Sequence, residues 1–115
     1  MEPEYLGIDL HKAFFQVCAV GATGERRWEH RFRAYPSNIS LDLTGGIMTT
    51  ATGLLFVGDN DGWLYAFESA TGRQLWRGEV GAPVWGTAAI SYMLDGRQWV
   101  VAPAGLELKA FALPQ

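Results

Sequence analysis

The stretch Gly45–Trp76, GGIMTTATGLLFVGDNDGWLYAFESATGRQLW, decides how the chain is read. Short apolar runs alternate in it with turns of small and polar residues, the mark of antiparallel strands rather than helices. The runs predict strands near Ile47–Thr50, Leu54–Gly58, Trp63–Glu68 and Gln74–Glu79. Asp59–Asn60–Asp61–Gly62 is a hairpin signal, because Asn, Asp and Gly tolerate the positive φ of tight turns. Thr71–Gly72 supplies the next turn, and Trp76 closes the segment.

Outward from this stretch the same grammar continues. Further strands are expected at Gly86–Met93 and Gln98–Pro103, joined at Asp95–Gly96, and at Leu108–Ala112. Upstream, Tyr5–Leu10 and Phe14–Val20 have strand length, Gly21–Gly24 turns the chain, and Arg27–Arg33 alternates Trp28, His30 and Phe32 with charged residues. Residues 34–40, with Pro36 and small polar neighbours, read as a linker. No long window spaces apolar residues three and four apart, so no helix is expected. The division is residues 1–33, a three-stranded meander; 34–40, a linker; and 41–115, the segment built around Gly45–Trp76. A weak repeat crosses that boundary: Ala22–Thr23–Gly24 with Trp28 matches Ala70–Thr71–Gly72 with Trp76.

Composition narrows the classes. The chain has 115 residues, 49% of them hydrophobic, with five tryptophans, enough for one small core and too apolar for disorder. After Arg33 seven acids stand against only Arg73, Arg77, Arg97 and Lys109, which argues against nucleic-acid binding by that part. Cys18 is the single cysteine, so no internal disulfide and no cysteine-based metal site can form. The N-terminus carries acids where a secretory signal carries Lys or Arg, and no apolar run spans a membrane. A cytoplasmic location is the expectation from the sequence as it stands.

The meander over Gly45–Trp76, ending in AFESATGRQLW, has the form of one β-propeller blade and resembles the last blades of the quinoprotein (PQQ-dependent) alcohol dehydrogenases. The resemblance runs over residues 41–115 and includes DGRQWVVAPAG and the tail LKAFALP. It implies that Ala66, Glu68, Thr71, Gly72 and Trp76 are blade-docking residues, with Trp76 flat in an interface. The family usually has Asp where this chain has Glu68. It further implies an eight-bladed ring holding pyrroloquinoline quinone and Ca²⁺, and a periplasmic location for the resembled enzymes. The vicinal cysteine pair over the quinone and a CxxCH haem motif are absent from this sequence. No cofactor is therefore expected on the chain alone. Asp59 and Asp61 could ligate Ca²⁺ in principle, but acids beside a turn glycine are ordinarily turn residues.

YLGIDLHKAFFQVCAV, at Tyr5–Val20, followed by a charged third strand, resembles the opening of RuvC-like (DEDD) insertion-sequence transposases. That resemblance, over residues 5–33, implies that Asp9 matches a first catalytic carboxylate holding Mg²⁺. Two-metal cleavage needs several carboxylates, and only Glu25 and Glu29 are near in sequence. Asp9 reads better as a strand-edge or turn-capping residue, and His11 and His30 are too isolated to form a metal site. Residues 1–33 are thus a degenerate blade, supported by the repeated Ala-Thr-Gly, or a transposase-like start joined to a dehydrogenase end near residues 33–40, the preferred reading because GIDLHK at Gly7–Lys12 is the closer match.

The expected architecture is all-β: antiparallel meanders, with one to two propeller-type (PQQ-repeat) blades behind an N-terminal three-stranded meander. The expected function is that of a truncated or hybrid piece of a PQQ-dependent alcohol dehydrogenase, inactive alone. The rivals are a binding or self-assembling scaffold module, with Val84–Gly86 and Gly58–Gly62 as its exposed rim, and a nuclease fragment using Asp9. An isolated blade exposes apolar surface, here expected around Trp63, Trp76, Trp85 and Trp99, so self-association or packing of the meander on the blade face follows.

Overall fold

In the computed structural model, turn residues divide the described residues into ten strands, which fall into three antiparallel sheets. The structure describes residues 4–10, 14–33, 46–84 and 88–114. The first sheet is β1 (Glu4–Leu10), β2 (Phe14–Gly21) and β3 (Arg26–Arg33). The central sheet is β4 (Ile47–Thr49), β5 (Leu54–Gly58), β6 (Trp63–Glu68) and β7 (Gln74–Glu79), paired in chain order. The last sheet is β8 (Ile90–Leu94), β9 (Arg97–Ala104) and β10 (Glu107–Ala112), with β9 in the middle. No helix occurs among the described residues, and none is long and apolar enough to cross a membrane.

Strand periodicity explains how the sheets stack. Successive side chains point to opposite faces, and β5 and β6 are apolar on both. Leu55, Val57 and Phe67 turn to the first sheet, where they meet Val17 and Phe32, with Leu6, Trp28, Ile47 and Tyr65 at the margin. Phe56, Leu64 and Ala66 turn the other way and pack with Val80, Val84, Val100, Ala102 and Ala104. The central sheet is therefore covered on both faces, the condition of a blade between two others. Each fully buried Leu, Val or Phe contributes about 1.5–3 kcal/mol by leaving water. The extents are 44 × 40 × 18 Å.

Most expected strands are found within a residue or two. β8 is the exception: it begins at Ile90, with Ala88 and Ala89 before the strand and Gly86 outside the described residues; Ala88 Cβ lies 3.2 Å from where a Cβ at Gly46 would stand. The linker expected over residues 34–40 lies outside the described residues, as does Trp85. Two exposure expectations are corrected. Trp63 and Trp99 are half-buried, and the large exposed side chains lie chiefly on β8 and β10. The supposed rim is mostly covered: Gly58, Asp59, Asn60, Gly62 and Val84 are buried, Asp61 is exposed, and Trp85 and Gly86 lie outside the described residues; a Cβ at Gly58 would stand 2.4 Å from Val84.

Candidate functional site at the sheet interfaces

The turn between β6 and β7 is built by its own residues. Glu68 accepts the Thr71 hydroxyl at 2.6 Å, and its other oxygen lies 3.6 Å from the Arg73 guanidinium. The Gly72 amide donates to the Glu68 carbonyl at 2.8 Å. Gly72 has a φ of 77°, which a side chain adopts only with strain. A second constraint is specific to this position: a Cβ there would stand 2.7 Å from Trp28 Cδ2. Trp28 comes from β3 of the first sheet, lies over Gly72, and donates from Nε1 to the Ser69 carbonyl at 2.7 Å. Its ring is 6.5 Å from Phe67. Glu68 and Thr71 thus shape the turn, and Ser69 and Gly72 are the residues on which Trp28 sits.

Trp76 repeats that role one sheet later. It leaves β7, crosses Gly78, and meets Phe111 of β10 edge to face, with centroids 5.0 Å apart and planes at 71°. Ala66, opposite Trp76 in the ladder, is buried toward the same sheet. Trp76 does not lie fully sheltered in the interface as expected. It stays 38% exposed, beside a cavity of about 480 Å³ lined by Leu54, Leu75, Phe111, Leu113 and Pro114. Phe67 and Phe111 were not singled out from the sequence, whereas Trp28 was marked there by the repeated Ala-Thr-Gly with its following Trp.

Asp59 is a turn residue. Its Oδ1 accepts the amides of Asp61 and Trp63, each at 2.9 Å, and its Oδ2 accepts the Tyr65 hydroxyl at 2.9 Å. Burial first, and then the bond to Asp59, raise the Tyr65 phenol above its ordinary pKa. Arg77 lies over the Trp63 ring at 4.1 Å, a cation–π contact beside this network. With both carboxylate oxygens engaged inside the turn, the Ca²⁺ alternative for Asp59 has no support in the geometry. His30 is wedged between Phe32 at 4.6 Å and Phe67 at 4.8 Å, its Nδ1 buried without a hydrogen-bond partner. Burial among these rings lowers its pKa.

The remaining sequence candidates do not converge. Asp9 stands in β1 opposite Gln16, whereas Glu25 lies in the β2–β3 turn at the other end of that sheet. Thr23 binds the Glu25 carboxylate and is the main reason its pKa is lowered. Glu29 is exposed and paired with Arg26 at 2.7 Å. Among the described residues, no three His, Cys, Asp or Glu side chains are grouped to hold a metal ion.

The two outward faces of the stack differ. In the first sheet Glu29 and Arg31 lie across from Cys18 and Gln16 and are exposed. In the last sheet Ile90, Tyr92 and Leu94 share a face with Val101, Trp99 and Arg97, their ladder partners, and Leu108 lies across from Pro103. Ile90 is 61% exposed and Leu108 74%, although Val100 on the opposite face is fully buried.

Known proteins place this arrangement. The family model for the glucose/ethanol/alcohol dehydrogenase β-propeller domain (PQQ) matches residues 5–100. The chain is 44% identical over 61 residues to quinohemoprotein alcohol dehydrogenase of Comamonas testosteroni, covering 53% of the chain and 8% of that protein. It is 32% identical over 83 residues to quinoprotein alcohol dehydrogenase PedH of Pseudomonas putida, covering 72% and 13%. The crystal structure of the Comamonas testosteroni enzyme superposes with a TM-score of 0.67 at 31% identity, over 83% of the chain and 13% of the enzyme. A europium-containing methanol dehydrogenase gives a TM-score of 0.64 at 26% identity, over 80% and 15%. The chain thus spans only about a tenth of the length of these relatives, and its three stacked sheets correspond to part of one propeller. It belongs to the glucose/ethanol/alcohol dehydrogenase β-propeller (PQQ) family.

Proposed function

We propose that this chain acts as a non-catalytic propeller segment whose task is packing against further blade surface. The observation that carries this reading is the outward face of the last sheet, where Ile90, Tyr92, Leu94 and Leu108 remain exposed beside Trp99 and Val101. Contiguous apolar surface of this kind marks an interaction site. Association with another blade, including one from a second copy, buries it.

The residues at hand do not fit the family's cofactor. Cys18 is the sole cysteine in the sequence, and the Asp59 carboxylate is spent inside its turn. The cavity beside Trp76 is lined by apolar side chains and offers no carboxylate to a metal ion. Pyrroloquinoline quinone and Ca²⁺ therefore belong to the resembled enzymes, and no chemical step on this chain is assigned to them.

The first sheet serves, on this reading, as a blade of the same series. A transposase start and a blade both predict the β1-β2-β3 meander, so strand order does not separate them. The seating of Trp28 on Ser69 and Gly72 is what only the blade reading requires, and it supports that reading over catalysis by Asp9. The test is a titration of the purified chain with pyrroloquinoline quinone and Ca²⁺, followed by tryptophan fluorescence and alcohol-dependent dye reduction. The expected result is no saturable change and no turnover. Saturable binding with alcohol oxidation would overturn the reading, and Mg²⁺-dependent DNA cleavage lost in Asp9→Asn would replace it with the nuclease one.

A further inference from the structure

Side chains alternate between the two sides of a strand, so the ladder register lists what each end of the stack presents. On the last sheet, Ile90, Tyr92 and Leu94 of β8 continue through Trp99 and Val101 of β9 to Leu108 of β10. The charges of this sheet lie elsewhere. Glu107 and Lys109 stand across from Ala104 and Ala102, which are buried on the inner side, and they pair with each other at 2.7 Å. Arg97 shares the outer side, but at the hairpin end, where its Nε donates to the Leu113 carbonyl at 3.1 Å.

The far end of the stack offers no match. Its rows are Cys18 with Glu29 and Gln16 with Arg31, and Glu29 and Arg31 are both exposed. A second copy stacked in the same order would press these groups, and the Arg26–Glu29 pair of 2.7 Å, against Ile90 and Leu108. Taking an ion pair out of water can cost more than its attraction returns, and an apolar surface supplies no replacement hydrogen bonds. Both faces of the central sheet are already covered. Among the described residues, the surface that matches this apolar face is therefore the same face of another copy.

We infer that two copies pack their last sheets face to face across a twofold axis, as the two layers of a β-sandwich. The inference rests on the propeller-segment reading above and names the partner of that face. Facing sheets interdigitate the side chains of their inner surfaces, which buries Ile90, Tyr92 and Leu108 of each copy. Arg97, at the end of its row, stays at the wet rim. Such a contact is isologous and closes at two, because each copy carries one apolar outer face and ends in charge on the other side. Head-to-tail stacking would instead leave an apolar face open after every addition and grow toward a ring.

The test is sedimentation equilibrium of the full chain, paired with NMR of a mixture that carries a spin label on Cys18. That residue lies on the outer side of the first sheet, across from Glu29. Chain bearing the nitroxide is mixed with isotope-labelled chain that lacks it. The mass is expected to rise with concentration to two chains and no further. Amide shifts that track this rise are expected at Ile90, Tyr92, Leu94 and Leu108, with no broadening there by the nitroxide of the other copy. Species of three or more chains, broadening of Leu108 by the Cys18 label, or a monomer at every concentration would overturn the face-to-face pair. A ring-sized species would do so and leave the propeller-segment reading standing. Saturable cofactor binding with turnover would overturn that reading whatever the mass, so the two can fail separately.

Discussion

The first and last sheets are both three-stranded and both lie against the central sheet, yet their outer surfaces are opposites. Glu29 and Arg31 cover the outside of the first, with Arg26 paired to Glu29, whereas Ile90, Tyr92, Leu94 and Leu108 cover the outside of the last. A charged outer face is at home in water, and an apolar one needs a cover. The inner contacts differ in the same sense. Trp28 is half-buried, bonded to Ser69 and set over Gly72, while Trp76 touches Phe111 and is left beside a cavity. On the proposed reading, the outer face of the last sheet is the one that takes a neighbour.

The largest effect should come from the contact around Trp28. Phe67 is fully buried and touches Trp28, His30, Phe32 and Tyr65, so Phe67→Ala should cost about 3–5 kcal/mol in urea unfolding. That is a large share of the roughly 5–15 kcal/mol that holds a domain together. Phe111→Ala, at the Trp76 contact, should cost less than half as much because Phe111 is only partly buried. Equal costs would erase the contrast.

Two glycines sharpen the comparison at an intermediate size. Gly24 and Gly72 hold the same place in the repeated turn, with φ of 87° and 77°. Alanine at Gly24 meets nothing within 4 Å and should cost only the conformational strain, about 1–2 kcal/mol. Alanine at Gly72 adds the collision with Trp28, so its cost should exceed that at Gly24 in parallel thermal unfolding. In a Trp28→Ala background the excess should vanish.

A smaller effect follows from His30. Its folded pKa lies below the ordinary 6.5 because burial between Phe32 and Phe67 disfavours the charged ring. The unfolded chain then binds the extra proton first as the solution is acidified. Stability is accordingly complete above about pH 6.5 and falls as the pH drops through the folded pKa. Urea midpoints measured through this window should decline in the native chain, and the decline should be shallower in His30→Phe.

The strands were legible because their cues are local. Alternating apolar residues, Asp95–Gly96 and Asp59–Gly62 act within a few positions of themselves. The roles of Ala66, Glu68, Thr71 and Gly72 as docking residues remain implied by the family resemblance, and the observed turn gives them a geometry consistent with it. What the sequence hid depends on which sheet covers which face. Trp63 and Trp99 were expected to be bare and are half-buried, because ladder register decides exposure and composition does not. His30, legible only as an isolated histidine on a strand, is covered by Phe67 of a different sheet.

The smallest change in fold stability, and the most direct test of the proposed reading, comes from the outer face of the last sheet. Leu108→Glu and Ile90→Lys alter exposed positions and should shift the stability of the monomer by no more than about 0.5 kcal/mol. Sedimentation equilibrium of the native chain and of this double variant, over a wide concentration range, is the decisive measurement. The account predicts reversible association of the native chain that the double variant loses, while Glu29→Gln, on the opposite face, keeps it. A native chain that stays monomeric at every concentration, or a double variant that associates as strongly, would contradict the claim that this face is built to be covered.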